Sequence, residues 1–402
     1  MSKSIGLLFL AACVLAATRA ADWPQWRGPH RDGISRETNL LPQWPEDGPD
    51  ELWSADGLGQ GYATVAVSGD LVYTTGIADG QGHLFVFRAD GTPVSKTAYG
   101  KDSVQGKGYP GARSTPTVVA GRIFVMTGFG VVNCFDQKTL RRLWQVDTFE
   151  RFGGRQINWE IAESLLVHGD LVICTPGGAD ALLAALNVAD GRTVWTTKGL
   201  DSKSAYCSPV VVKHGGREMI LTMVEYGAVG VDARSGELLW SHAHKNRYAV
   251  HAATPIYHDG WVFISSGYGH GSEMLEIAAD GKSVRQVWAA KALDNHHGGV
   301  ILMGGRLYGT NDRGLVCLDW KTGEVVWTER GVGKGSLTAA GGMLYAYGER
   351  NGMVGLIKPE ANGARVISSF VIKKGSAQHW AHPVVANGRL YIRHGEIGRA
   401  HV

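Results

Sequence analysis

The 402 residues include 56 glycines and 13 tryptophans but only 19% charged side chains, a composition too apolar for a disordered chain and suited to many short strands joined by tight turns. The formal charge is +3, and it falls to +1 once Lys3 and Arg19 are removed with residues 1–20. No basic run is dense enough for a nucleic-acid-binding face.

The chain opens with Lys3, an apolar run from Ile5 to Ala17, and Thr18-Arg19-Ala20 before Ala21. This order of charge, short apolar stretch and small residues is that of a signal peptide, with a mature start expected near Ala21 and a periplasmic or secreted destination. Leu10-Ala11-Ala12-Cys13 also has the small-small-Cys pattern of a lipid-attachment site, so anchoring through Cys13 is the alternative. No later stretch reaches the ~18 apolar residues that span a bilayer. Four cysteines follow, Cys134, Cys174, Cys207 and Cys317, each in a strand-like run and expected as a buried free thiol.

Residues 21–50 read as an extension packing on the body of the protein, and from residue 51 one unit recurs eight times: a β-rich run, a Gly turn, a second β-rich run. The turns fall at Gly69, Gly121, Gly169, Gly215-Gly216, Gly260, Gly304-Gly305, Gly341-Gly342 and Gly388. Alternating apolar residues with Gly at the turn predict a hairpin, because Gly adopts the positive φ that two-residue turns require. Most copies add a third strand, an Asp or Asn turn, and a fourth strand bearing Trp, as in Asp136 to Trp144, Asn187 to Trp195, Asp232 to Trp240 and Asp319 to Trp327. Trp53, Ser95, Trp144, Trp195, Trp240, Trp288, Trp327 and Phe370 occupy this position at the spacing of four-stranded blades.

Those residues predict an all-β, eight-bladed β-propeller of four-stranded antiparallel blades over residues 51–396. Glu51-Leu52-Trp53, ahead of the first hairpin, is expected to supply the outer strand of the last blade and so remove both sheet edges. Ser95 and Phe370 depart from Trp, which predicts looser first and seventh blades. The last blade lacks a recognisable third strand. Residues 397–402, Ile-Gly-Arg-Ala-His-Val, are what a common short-read sequencing adapter (ATC GGA AGA GCA CAC GTC) encodes, and they are expected to be an artefact replacing the natural C-terminus.

The Asp/Asn turn, the Ser-Gly-Glu or Thr-Gly-Glu step and the Trp eight residues on resemble the tryptophan-docking motif of PQQ-like (pyrroloquinoline-quinone-like) β-propellers. Trp23-Pro24-Gln25-Trp26-Arg27-Gly28-Pro29 and Asn295-His296-His297-Gly298-Gly299-Val300 are similar to a secreted bacterial branch of that family. The resemblance implies structural docking roles for Trp53, Trp144, Trp195, Trp240, Trp288 and Trp327. It also implies one of two functions, a binding or scaffold platform or a PQQ-dependent dehydrogenase of alcohols or sugars that would hold PQQ with calcium. Enzymes of that second kind clamp the quinone with two adjacent cysteines, which this sequence lacks.

Small residues recur seven positions before each hairpin turn, at Ser114, Ala162, Ser208, Ala253, Gly298, Gly335 and Ala381, with Tyr62 as the exception. They suit inner strands converging on a narrow axis. Just before them stand Arg113, Glu160, Tyr206, His251, His296, His297, Lys334 and His379, with His382 nearby. These are the candidate ligand-binding residues, expected around one mouth of the axial channel together with the turns Gly267–His270 and Asn311–Arg313. No metal is assigned: His296 and His297 are consecutive and point to opposite faces of a strand. An envelope protein or a small molecule is the expected partner of a monomer. Exposed Tyr206, Tyr268 and Trp380 leave carbohydrate binding as a third reading.

Overall fold

The structure, a computed structural model, describes residues 22–102 and 109–402, so the signal-peptide and Cys13 expectations lie outside the described residues. Eight antiparallel sheets form a ring. The first contains strands Ala66–Ser68, Leu71–Ala78, Gln81–Arg88 and Pro93–Gly100, and each later blade repeats that order from the axis outward. All eight innermost hairpins close with two residues between paired strands. Ala120, Asp259 and Asn387 enter positive φ beside their glycines in three of these turns, as such tight turns demand.

Eight apolar clusters fill the gaps between consecutive blades. The tryptophans take part through a shared geometry. Trp53, Trp144, Trp288 and Trp327 donate their indole N–H to Ala89, Val188, Trp320 and Glu360 carbonyls of the next blade, at 2.8, 3.1, 3.2 and 3.3 Å. Gly91, Gly191, Gly236 and Gly323 lie under the rings of Trp53, Trp144, Trp195 and Trp288, where an added Cβ would come within 2.5 to 2.8 Å of the indole. Glycine is needed there for close approach as well as for positive φ.

Glu51–Ala55 pairs antiparallel with Ile397–His401, so the last blade is closed by strands from both ends of the described chain. This corrects the expectation that the blade lacks a third strand: Ile397–His401 is buried throughout and pairs on both sides. Backbone pairing is indifferent to side-chain identity, and Ala400 fits against Tyr391 and Trp53. The expectation of loose first and seventh blades is also corrected. Phe370 lies 5.4 Å edge-on to Trp44 and directly over Gly48. The seventh blade thus regains an aromatic pair and a docking glycine from the segment before residue 51. Beside Ser95, the interface of the first and second blades is filled by Tyr73 and Tyr99, which are fully buried.

Residues 22–37 do more than cover the surface; they cross the axis and touch every blade. Trp23 bridges Val67 in the first blade, and Pro24 accepts the Val118 amide of the second. Arg31 donates to Ser164, Leu165 and Pro209 carbonyls ahead of the third and fourth hairpins. Trp26 donates to Thr254 and Arg27 to the Val300 carbonyl, ahead of the fifth and sixth. Ile34–Ser35 pairs parallel with Ala339 and Ala340 of the seventh blade, and the Glu37 carboxylate accepts the Asn387 and Gly388 amides in the eighth. Burial lowers the Arg27 and Arg31 guanidinium pKa to about 10, with Asp32 beside Arg27 and Glu163 beside Arg31 offsetting part of the effect, and both remain cations at neutral pH. The segment seals the end of the axis that carries the hairpin turns.

Candidate functional site

Above the seal lies a cavity of about 510 Å³. Trp26 forms its floor, 4.5 Å from the His382 ring, and aromatic rings follow one another around its wall. Trp380 stands 4.8 Å from Tyr62, 4.9 Å from Tyr109 and 5.2 Å from His297. His297 adjoins His296 at 4.8 Å, and His296 adjoins Tyr268 at 4.6 Å, with the Tyr268 hydroxyl 2.7 Å from His296 Nε2. Tyr268 meets Tyr248 at 4.6 Å, and Trp159 lies 6.2 Å from both Tyr248 and Tyr206. Arg113 completes the circuit. Its guanidinium lies over the Tyr62 ring and donates to the Trp159 carbonyl at 2.7 Å and to that of Tyr109.

The candidate residues divide into three groups. Arg113, Tyr206, His296, His297 and His382 line the cavity. Glu160 and Lys334 form a layer behind it. Glu160, at φ 63° on a tight turn, lies 3.8 Å from Arg113; Lys334 lies 2.9 Å from Asp312 and 3.7 Å from Glu349. His251 and His379 correct the expectation of a ring of groups at one mouth, because neither reaches the cavity. His251 is turned into the blade interface, 5.6 Å from His244. His379 stacks on His394 at 3.7 Å and meets the Tyr347 hydroxyl at 2.6 Å. A side chain just before an inner strand can turn toward the axis or sideways between blades, and spacing alone does not choose.

Electrostatically the cavity sets two neutral histidines, His296 and His382, near one carboxylate. Burial, reinforced by His297, lowers His296 to about 3, and burial with the nearby Arg27 cation lowers His382 to about 3. Burial raises Tyr206 to about 12. Glu349 would be raised by its burial, but His297 at 3.3 Å and Lys334 outweigh this and bring it down to about 2. Those ion-pair contacts are poorly aligned as hydrogen bonds. Both His297 ring nitrogens, Glu349 Oε2, the Trp380 indole nitrogen and His382 Nδ1 are buried without a partner at hydrogen-bonding geometry.

Trp26, Tyr109, Trp159, Tyr248 and Glu349 also line the cavity and were not among the sequence candidates. The available signal was an aromatic residue in nearly every loop leading to an inner strand, with Tyr62 breaking the run of small residues.

The donor set does not fit calcium-held PQQ. Calcium takes six to eight oxygen ligands, yet Glu349 is the only carboxylate among the described residues lining the cavity, and it is committed to His297 and Lys334. Cys134, Cys174, Cys207 and Cys317 are buried free thiols and none of them lines the cavity, although Cys207 lies between the lining residues Tyr206 and Ser208.

Ring, seal and cavity define an eight-bladed propeller with one closed and one open axial end. The chain belongs to the PQQ-like repeat family, matching over residues 44–159, 80–329 and 285–366 the family model described as outer membrane protein assembly factor BamB. It is 26% identical over 273 residues to outer membrane protein assembly factor BamB of Shewanella oneidensis, covering 60% of this chain and 65% of that protein. It is 30% identical over 148 residues to quinoprotein alcohol dehydrogenase PedH of Pseudomonas putida, covering 34% of this chain and 24% of that one. The matches therefore span less than two thirds of these relatives. The fold is similar to BamB from Moraxella catarrhalis, with a TM-score of 0.63 at 15% identity, covering 87% of this chain and 96% of that chain. It is similar also to quinohemoprotein alcohol dehydrogenase ADHIIG from Pseudomonas putida, with a TM-score of 0.62 at 11% identity, covering 94% of this chain and 80% of that chain.

Proposed function

We propose that this chain is a periplasmic or secreted binding platform whose open axial end receives a partner or ligand in the aromatic cavity. One observation carries the reading. His297, Glu349, Trp380 and His382 converge on a single concave, ring-lined space with buried polar atoms lacking aligned partners, whereas buried polar groups are ordinarily satisfied. A bound group that supplies donors and acceptors there, with apolar surface against Tyr62, Tyr109, Trp159 and Tyr248, would meet both needs. The family's assembly-factor description, and the matching relative from Shewanella oneidensis, support an envelope protein as partner. Among the described residues no helix is long and apolar enough to cross a membrane.

Photo-crosslinking in cells tests this. A photoreactive amino acid at Tyr268 on the cavity rim should give a discrete adduct, while the same group at Asp70, on the hairpin-turn end, should give none. Equal adducts from both positions, or none from Tyr268 in folded protein, would refute the assignment of the open end as the binding face.

A further inference from the structure

Behind the cavity wall, His242, His244 and His270 surround the Glu273 carboxylate at the junction of the fourth and fifth blades, and a fourth histidine, His251, packs beside His244. His242 lies in the outer strand Leu238–Ala243 and His244 just past its end, and both reach the same carboxylate. Glu273 stands on strand Gly271–Ile277, and His270 ends the turn before it. His244 Nδ1 lies 2.9 Å from Glu273 Oε1, and His270 Nε2 lies 3.5 Å from the same oxygen. One donor atom from each of His244, His270 and Glu273 falls within 4.8 Å of the others. His251 adds a second kind of evidence. It is fully buried beside His244, and apart from a weak contact with the Glu225 backbone its ring nitrogens meet no partner at hydrogen-bonding geometry.

We propose that His244, His270 and Glu273, with His251 as fourth donor, bind a zinc-class divalent ion that fixes the turn carrying Tyr268 at the cavity rim. Two imidazoles and a carboxylate are a known donor set for zinc, and four ligands complete its tetrahedral preference. The surrounding groups suit outer-shell roles. Ser266 Oγ lies 3.0 Å from His244 Nε2, leaving Nδ1 to face the ion, and His242 Nε2 lies 2.6 Å from Glu273 Oε2, orienting the carboxylate. Burial keeps His251 and His270 in the neutral form that ligates metals. Two imidazoles on one tetrahedral ion have ring centres roughly 5 Å apart. The His244–His251 pair at 5.6 Å already meets this, while the His244–His270 pair at 4.0 Å must open slightly. His270 is two residues from Tyr268, and the backbone between them is tied to Lys291 and Asp294. Ligating His270 therefore anchors the rim.

The test uses tag-free, chelator-treated full-length protein titrated with Co²⁺ and Zn²⁺. The expected result is one equivalent of Co²⁺ per chain with the visible d–d band of a tetrahedral site, displaced by Zn²⁺. Affinity should fall at least tenfold in both His270→Ala and Glu273→Gln, and Zn²⁺ should raise the unfolding midpoint of the wild type much more than that of either variant. His270 is partly exposed, so its replacement should leave the fold intact, as circular dichroism would verify. His379→Ala, outside the cluster, should bind as the wild type does. Absence of stoichiometric binding, or binding that survives the double substitution, would overturn the proposal.

Discussion

The two ends of the propeller axis are built from similar residue types put to opposite uses. At the sealed end, Arg31 sends its donors to the carbonyls of Ser164, Leu165 and Pro209 and to the Gln25 amide oxygen. The charge is spent on cross-linking the blades. At the open end, Arg113 is held at the edge of an aromatic circuit, and His297, Glu349, Trp380 and His382 keep buried polar atoms without aligned internal partners. Arg27 Nε and Nη1 and the Trp23 indole nitrogen at the sealed end also lack aligned partners, but at the open end such atoms from several residues converge on one concave space, and that convergence marks a place for something from outside.

Substitutions at the two ends should therefore behave differently. The largest expected effect is from Arg31→Met, which removes the guanidinium donor from the Ser164 and Pro209 carbonyls and one of two donors from that of Leu165, and should cost about 3 kcal/mol, read from urea unfolding. A loss below about 1 kcal/mol would show that the seal is dispensable.

A smaller effect is expected on acidification. The pKa of His382 is about 3 in the folded chain against 6.5 for the ordinary side chain. Between these values the unfolded state binds more protons, so stability rises with pH in that window and is lost as pH falls from 6.5 toward 3. His382→Phe should remove about 2 kcal/mol of the loss between pH 7 and pH 5, measured by unfolding at both values. An unchanged pH dependence would show that His382 is not held neutral by the fold.

The smallest stability effect belongs to the open end. Tyr268, 41% exposed, replaced by Ser should change stability by no more than about 0.5 kcal/mol while weakening adduct formation from a photoreactive group at Tyr109 across the cavity. A large destabilisation with unaltered crosslinking would reverse the distinction between the two ends.

Most of the ring could be read from the sequence because each blade restates the same local chemistry. A glycine that must turn, an Asp or Asn that bonds its own backbone and a Trp that covers the next blade's glycine are all set within one repeat. What could not be read depends on contacts between distant segments. Trp44 and Gly48 supply what Phe370 lacks in the seventh blade, and Ile397–His401 finds both its neighbours in the eighth. The site was legible in the same partial way. Arg113, His296, His297 and His382 reach the cavity, while His251 and His379 turn between blades, a choice made by packing rather than by spacing. Attention to titratable groups hid the aromatic wall, since Trp159 and Tyr248 stand in separate loops and only the closed ring brings them together.

An open end that is a binding face and not a calcium-quinone site is tested most directly by a thermal-unfolding scan of the protein with PQQ, with and without calcium, in wild type and in a His297→Ala, Arg113→Ala double variant. No shift of the midpoint is predicted in either protein. A clear stabilisation of the wild type that requires calcium and disappears in the double variant would contradict the account and place a quinone in the cavity.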